Sequence, residues 1–257
     1  MHGTVEMLHH HPIKGLSAQP LDTVALRAGE GFPFDRVFGF ARHDSGFEPE
    51  NPQPLPKDRF FVLLRDEKLA RLKTRFDPES RTLEIRVDGK TVLDEDLSRP
   101  AGIEATLTFL SDMFDLPAEK RPVFAHAAPH RFTDVSVTST AMMNAISLIN
   151  LASVRELGDR IGRDVDPLRF RGNVYFDGFA PFAELDLVGR EVSIGEARLR
   201  IVKRTRRCAA TEVNPVTAER DLRVLHLLKE HFGHLDMGVY AEVLTPGHIA
   251  PGDTIRV

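Results

Sequence analysis

The sequence is almost devoid of cysteine and contains no long apolar run. Cys208 is the only cysteine among 257 residues, which excludes an intrachain disulfide and a four-cysteine iron–sulfur cluster and favours a reducing compartment. No stretch approaches the roughly eighteen consecutive apolar residues that a membrane helix needs, and the N-terminus lacks the apolar core of a secretory signal. We therefore expect a cytoplasmic protein with no membrane partner.

A net positive charge is also absent. The 34 Lys and Arg residues are outnumbered by 38 Asp and Glu residues, for a formal net charge of −4. General nucleic-acid binding requires a strongly basic face, so a nucleic-acid partner is not expected. Hydrophobic residues make up 42% and charged residues 28% of the chain, which is typical of a globular protein with a sizeable core.

The hydrophobic pattern predicts a mixed, β-rich α+β protein. Residues 81–93 alternate apolar and polar side chains around Asp88-Gly89, which predicts a β-hairpin. The proline-containing segment 117–129 is a candidate boundary, and it divides the chain into domains at 1–118 and 119–257. Helices with one apolar face are predicted at 104–114, 151–161 and 222–232. Further strands are predicted at 4–9, 22–26, 36–41, 60–64, 168–176, 192–194, 199–203, 240–244 and 254–257.

Cys208 lies in the most basic stretch of the chain. Its neighbours include Lys203, Arg204, Arg206 and Arg207. Nearby cations favour the thiolate form, which attacks electrophiles or binds a soft metal. The alternative is a buried, inert cysteine beneath a solvated charged face, and the stretch alone does not decide between them.

A second polar cluster is the segment Arg169-Phe-Arg-Gly-Asn173. If this segment is a strand, Arg169, Arg171 and Asn173 share one face. Two guanidinium groups and an amide beside a glycine suit a phosphate or a polar heterocycle. A salt-bridged edge strand facing solvent explains the same pattern, and the spacing by itself favours that alternative.

Two further features have simpler structural explanations. Asn150 stands at a predicted helix start, where it could present backbone N–H groups to an anion, although helix capping is a sufficient explanation. The run His9-His10-His11 suggests a metal site, but only His9 and His11 would share a face of a strand, and no third ligand is identifiable. A structural role is favoured for each.

Several segments, taken together and in order, resemble the MOSC family. HPIKGLSA and FDRVFGF resemble the opening of that family's N-terminal β-barrel domain. The stretches SLINLASVRELGDRIGRDVDPLRFRGNVYFDG, PFAELDLVGREVSIG, RRCAATEVNP and GVYAEV resemble the MOSC domain itself. The resemblance covers nearly the whole chain and implies an N-terminal β-barrel-like domain followed by a MOSC β-barrel with flanking helices.

The resemblance also implies a cofactor and its ligands. It implies a molybdenum cofactor held by molybdopterin, with Cys208 as the metal ligand and the catalytic residue. The cofactor-binding residues carried over by motif are Lys14, Arg36, Asn150, Arg171, Asn173, Arg207 and Thr211. Three positions depart from the family pattern: Gly172 replaces a frequent proline, Ala218 a frequent glycine, and Gly15 the serine of eukaryotic amidoxime reducers.

The implied activity is that of the bacterial and mitochondrial amidoxime-reducing enzymes. Such an enzyme reduces a small N-hydroxylated substrate, and the missing iron–sulfur module implies that electrons come from a separate ferredoxin or flavoprotein. One alternative is a carrier of the molybdenum cofactor, or of a persulfide on Cys208, without turnover of its own. No pyridoxal phosphate is expected, because the large domain that binds it in a full sulfurase is missing. The other alternative is a binding module for a different phosphorylated metabolite.

Overall fold

The computed structural model describes residues 1–257, which form fifteen strands and four α-helices. The strands are β1 (His2–His10), β2 (Gln19–Leu21), β3 (Val24–Leu26), β4 (Gly39–Ala41), β5 (Lys73–Asp77), β6 (Thr82–Val87), β7 (Lys90–Asp96), β8 (Val123–Ala125), β9 (Ile146–Asn150), β10 (Val174–Asp177), β11 (Glu191–Ile194), β12 (Ala197–Arg206), β13 (Asp236–Thr245), β14 (Gly247–Ile249) and β15 (Thr254–Arg256). The helices are α1 (Pro100–Met113), α2 (Thr140–Met143), α3 (Leu151–Ile161) and α4 (Val224–Phe232). None of the helices is long and apolar enough to span a membrane.

Seven strands close into a barrel in the order β1-β10-β9-β13-β12-β11-β15, and β15 returns to β1. Only β9 and β10 run parallel; the other neighbouring pairs are antiparallel. Closure leaves no free sheet edge in the ring, and 22 buried apolar residues form the core cluster centred on its inner face. The predicted β-rich α+β class is confirmed.

The strands outside the barrel form smaller sheets. Strands β5, β6 and β7 make a three-stranded antiparallel sheet, and β4 pairs with β8. The predicted hairpin is confirmed: Asp88 and Gly89 connect β6 to β7 with φ angles of 50° and 77°, the left-handed pair that a tight hairpin turn requires. A second core cluster of 18 buried residues lies between this sheet, α1 and the adjoining loops.

The division of the chain at residues 118/119 stays a prediction, but strand pairing crosses it at β1, β3 and β4, with β3 paired to β14. Strand β1 belongs to the barrel, because its residues pair with β10 and β15 near the other end of the sequence. Strand β4 pairs with β8, which lies beyond the proposed boundary. The N-terminal segment therefore supplies one strand, β1, of the barrel that the C-terminal segment otherwise forms.

The three predicted helices are confirmed as α1, α3 and α4, with ends that follow the capping signals. The Asn150 side chain accepts a hydrogen bond from the backbone N–H of Ala152 at 3.1 Å and begins α3. Gly162 and Gly233 end α3 and α4 with φ angles of 66° and 76°, the left-handed conformation common after a helix.

The predicted strand at 168–176 is wrong in its first half. Pro167–Phe170 is a short 3-10 helix whose start is capped by the Asp166 side chain, with Pro167 at its first position. Arg171 then takes a left-handed conformation with φ of 50°, and the strand begins only at Val174. Arg169, Arg171 and Asn173 therefore do not share one face of a strand. The predicted strand at 60–64 is also wrong, since only Phe60 makes an isolated bridge, with Ala41.

A candidate cofactor site in a cationic cavity

A cavity of about 210 Å³ opens where the barrel meets the N-terminal segment. Cationic side chains dominate its wall, and Asp134 is the only acidic residue among those lining it. Of the eight residues carried over by motif, seven line this cavity: Lys14, Arg36, Arg171, Asn173, Arg207, Cys208 and Thr211. The fold brings them together from four separate stretches of the chain, while their roles toward a cofactor stay predictions.

Lys14 is the most deeply buried cation of the cavity, with a relative exposure of 3%. Its Nζ donates to the carbonyl oxygen of Phe132 at 2.9 Å and to the carboxylate of Asp134. Burial lowers the pKa of Lys14, and the charge of Asp134 partly offsets that effect. The second carboxylate oxygen of Asp134 lies 3.8 Å from Nζ of Lys57. One carboxylate thus serves two ammonium groups at the cavity wall.

Arg36 is held in place by a buried carboxylate and a backbone carbonyl. Its guanidinium donates to Asp35, and its Nη2 donates to the carbonyl oxygen of Arg171 at 3.0 Å. Asp35 also accepts the backbone N–H of His11 at 2.8 Å. Burial opposes ionisation of Asp35, but the charge of Arg36 and the contacts with His11 hold its pKa below the usual range. The pair is therefore a fixed, charged unit beneath the cavity.

Arg171 carries the clearest unused donor. Its Nη1 donates to the carbonyl oxygen of Leu16 at 2.7 Å, whereas its Nη2 is buried and has no hydrogen-bond partner. Burial and the nearby charge of Arg36 lower the pKa of Arg171 to about 10. A buried donor without a partner is costly in free energy, and this nitrogen has no acceptor within the protein.

Asn173 and Arg207 hold the walls of the cavity together. The Asn173 side chain accepts the N–H of Ser147 at 3.0 Å and donates to the carbonyl of His9 at 3.3 Å. Arg207 donates from Nε to the carbonyl of Met237 at 2.8 Å and from Nη1 to that of Phe170 at 2.8 Å. Both side chains are therefore committed to the backbone around the site.

Cys208 lies where β12 ends and a short 3-10 helix, Ala209–Glu212, begins. Its carbonyl oxygen accepts the N–H of Thr211 at 3.0 Å and the Thr211 hydroxyl at 2.9 Å. The thiol is free and only partly buried. Thr211 thus fixes the backbone turn that presents the sulfur to the cavity.

Asn150 does not line the cavity. Its contact with a cofactor stays a prediction, and helix capping is sufficient to explain its position. It is fully buried, caps α3, and its Nδ2 donates to the carbonyl of Ala180 at 2.9 Å and to Glu184 at 3.0 Å. The position of Asn150 at a predicted helix start correctly indicated its role as a helix cap.

Sequence reasoning missed Lys57, Asp134 and Tyr240, which also line the cavity. Lys57 follows a proline-rich loop and Asp134 lies in an irregular segment, so neither has a periodic pattern to mark it. Burial raises the pKa of Tyr240. Burial acts to lower the pKa of Lys57, but the charge of Asp134 contributes to raising it overall, so Lys57 is held as a cation.

No three His, Cys, Asp or Glu side chains converge as a metal-binding group. His9, His10 and His11 are all buried, and each has a ring nitrogen without a hydrogen-bond partner. Their burial lowers the pKa of all three imidazoles. These histidines belong to the packed layer behind the cavity, with His11 against Asp35 at 3.5 Å.

The fold and site define a β-barrel protein with a thiol in a cation-lined cavity. Residues 129–256 match the family described as the MOSC domain, so the chain is a MOSC-domain protein. It is 34% identical over 113 residues to the molybdenum cofactor sulfurase of Caenorhabditis briggsae, across 42% of this chain and 15% of that one. The chain thus spans a small part of that relative's length.

The solved structures that align with this chain have lower sequence identity to it than the sulfurase has. The YuaD protein of Bacillus subtilis aligns over 99% of this chain and 94% of its own, with 14% identity and a TM-score of 0.45. YiiM of Escherichia coli aligns over 44% and 55%, with 20% identity and a TM-score of 0.31. The family assignment therefore depends on the domain match, not on these structures.

Proposed function

We propose that this protein binds a molybdenum cofactor in the cationic cavity and reduces N-hydroxylated compounds with electrons from a separate redox protein. The observation that carries the proposal is the meeting of one free thiol, Cys208, with the cationic side chain of Arg171 on the wall of a single cavity. The name of the sulfurase relative supports the choice of cofactor.

The residues present fit such a cofactor. Molybdopterin carries a phosphate, and the guanidinium and ammonium groups of Arg36, Arg171 and Lys14 are suited to hold it. Cys208 is a soft ligand that suits molybdenum. No other ligating side chains are grouped around the thiol, which agrees with a metal that brings its remaining ligands on an organic cofactor.

The chain's own residues would bind and orient the substrate. When bound, the cofactor supplies the two-electron chemistry that converts an N-hydroxyl group, with two protons, to N–H and water. The exposed carboxylate of Asp134 and the ammonium of Lys57 offer an acceptor and a donor to the N-hydroxyl group at the cavity. The ion pair between Asp35 and Arg36 holds the cationic wall of the cavity in a fixed position.

The electrons must come from another protein under this proposal. The chain has one cysteine, which cannot hold a four-cysteine iron–sulfur cluster. A ferredoxin or flavoprotein is the class of donor that we propose.

The decisive experiment measures molybdenum and pterin in protein made in a host that synthesises the cofactor. We expect about one molybdenum per chain in the wild type, and almost none in Cys208→Ser, because the metal ligand is removed. Arg198→Gln is the control, since Arg198 lies near the start of β12, is exposed, pairs with Glu191 and does not line the cavity. Wild-type protein without molybdenum or pterin from such a host would contradict cofactor binding.

Turnover is tested with benzamidoxime and reduced methyl viologen as a small electron donor. Formation of benzamidine by the wild type and the control, but not by Cys208→Ser, supports the reductase. A molybdenum-loaded protein without turnover would contradict it and favour the carrier role, for which the partly exposed Cys208 is suited.

A further inference from the structure

The cations around the cavity form two tiers. Lys14, Arg36 and Arg171 are buried or half-buried within it. Lys203, Arg204 and Arg206 lie at the mouth and are exposed to solvent. We call these three residues the outer row. They lie in the last part of β12, a few residues before Cys208, and line the same cavity as the proposed metal ligand.

The outer row exists because β12 is irregular at its end. Its pairing with β13 shifts register between Ile201 and Lys203 and again between Arg204 and Arg206. Such bulges re-aim side chains and break the alternation of a strand. Lys203 and Arg204 are consequently both exposed, although they are consecutive. The irregularity thus brings a third cation to the surface.

Two members of the outer row have no acidic partner. Arg204 forms an ion pair with Asp186 at 2.9 Å, whereas Lys203 and Arg206 form neither ion pairs nor side-chain hydrogen bonds in the structure. Arg206 stands opposite Asp236 on β13, but their charged groups make no pair. Further along β12, by contrast, Arg198 and Arg200 both contact Glu191. On β12, the unpaired cations are therefore confined to the end of the strand that lies at the cavity mouth.

We propose that the outer row is the docking surface for an acidic face of the electron-donor protein. The inference rests on the proposed function, which requires such a donor. Charge complementarity steers association and fixes orientation, and the position of the row beside Cys208 brings a docked donor to the cavity mouth. The three side chains of the row are exposed to solvent, which suits contact with a protein face better than recognition of a small substrate inside the cavity.

The test uses an acidic [2Fe–2S] ferredoxin as the probe and the full-length protein. The variant is Lys203→Glu/Arg206→Glu. The control is Lys90→Glu/Lys120→Glu, which makes the same change in net charge at two exposed cations that have no ion pair and lie outside the cavity. Binding is measured by calorimetry over a range of NaCl concentrations.

We expect wild-type binding to weaken as salt increases, because the contact is between exposed charges. At low salt the outer-row variant should bind the ferredoxin about tenfold more weakly than wild type, and the control within about twofold. Ferredoxin-driven turnover should fall in parallel, whereas turnover driven by reduced methyl viologen, itself a cation, should not fall.

Equal ferredoxin binding by the outer-row variant and the control would overturn the proposal. So would a variant whose only defect is a raised KM for an anionic substrate in the methyl viologen assay, since the row would then serve the substrate. Failure of the proposed function is a separate result: the wild type would lack molybdenum or methyl viologen-driven turnover, whatever the binding data show.

Discussion

The ion pair between Arg169 and Asp221 joins the two chain segments that carry the site, and its removal should be costly. Nη2 of Arg169 donates to both carboxylate oxygens of Asp221 at 2.6 and 2.8 Å, and its Nη1 donates to the carbonyl of Glu212 at 3.2 Å. The side chains are 5% and 20% exposed. The pair therefore holds the segment before Arg171 against the short helix after Cys208. We predict that Asp221→Asn destabilises the protein and loosens the site.

The magnitude follows from burial. Breaking a buried ion pair by removing one charge costs about 3–5 kcal/mol. Asp221 is one-fifth exposed, and an asparagine oxygen still accepts one hydrogen bond, so we expect a loss of about 2–3 kcal/mol. Urea unfolding followed by circular dichroism measures it, since the chain has no tryptophan. The control is Glu156→Gln, which breaks an exposed helix pair with Arg160 and should cost about 0.5 kcal/mol or less.

The pH dependence gives a second check with a definite sign. Burial opposes ionisation of Asp221, but the hydrogen bond from Asn214 and the charge of Arg169 lower its pKa overall. A lowered folded-state pKa contributes stability above the unfolded pKa of about 4, and that stability is lost as pH falls through the folded value. The gap between wild type and Asp221→Asn should thus shrink below about pH 4. The reasoning is refuted if the free energies of unfolding of wild type and Asp221→Asn differ by less than about 1 kcal/mol at pH 7, or if their difference stays constant in acid.

Two further predictions concern residues near the site. Gly15→Ser should lower stability by about 2–4 kcal/mol, because Gly15 has a φ of 87° and an added Cβ would lie 2.5 Å from the Phe61 carbonyl oxygen; an unchanged melting temperature would contradict this. Burial raises the pKa of Glu184, so wild type should lose stability relative to Glu184→Gln as pH rises above about 4.3 toward the folded pKa; parallel pH profiles in urea unfolding would contradict it.

The parts of the fold that the sequence predicted correctly are those determined by local chemistry. Asn150 and Gly162 bracket α3 because a cap and a left-handed stop act within one turn. Asp88-Gly89 determines the hairpin for the same reason. The predicted strand at Arg169 is wrong because Asp166-Pro167 is a helix-start signal. That local signal determines the backbone here, despite the alternating pattern that follows.

The remaining features depend on contacts between distant residues. An alternating pattern at residues 4–9 predicts a strand but not its partners, and β1 pairs with β10 and β15. Lys57 and Asp134 come from irregular segments and meet across 77 positions only in the folded chain. Only the family resemblance predicted that Arg171 and Cys208 lie at one site. Sequence spacing alone does not indicate which distant segments meet in the folded chain.

Backbone carbonyls accept many of the hydrogen bonds that the cavity's guanidinium groups donate, and the Nη2 of Arg171 is among the buried donors left without a partner. Like charges packed together repel, and the protein offsets that cost by directing guanidinium groups onto carbonyls: Arg207 onto Met237 and Phe170, Arg171 onto Leu16. These contacts fix the side chains before any ligand arrives, which lowers the entropy lost on binding. The Nη2 of Arg171 is excluded from this network. An anion that reached it would satisfy a buried donor and reduce the repulsion at once, so ligand binding and stability of the barrel should be coupled.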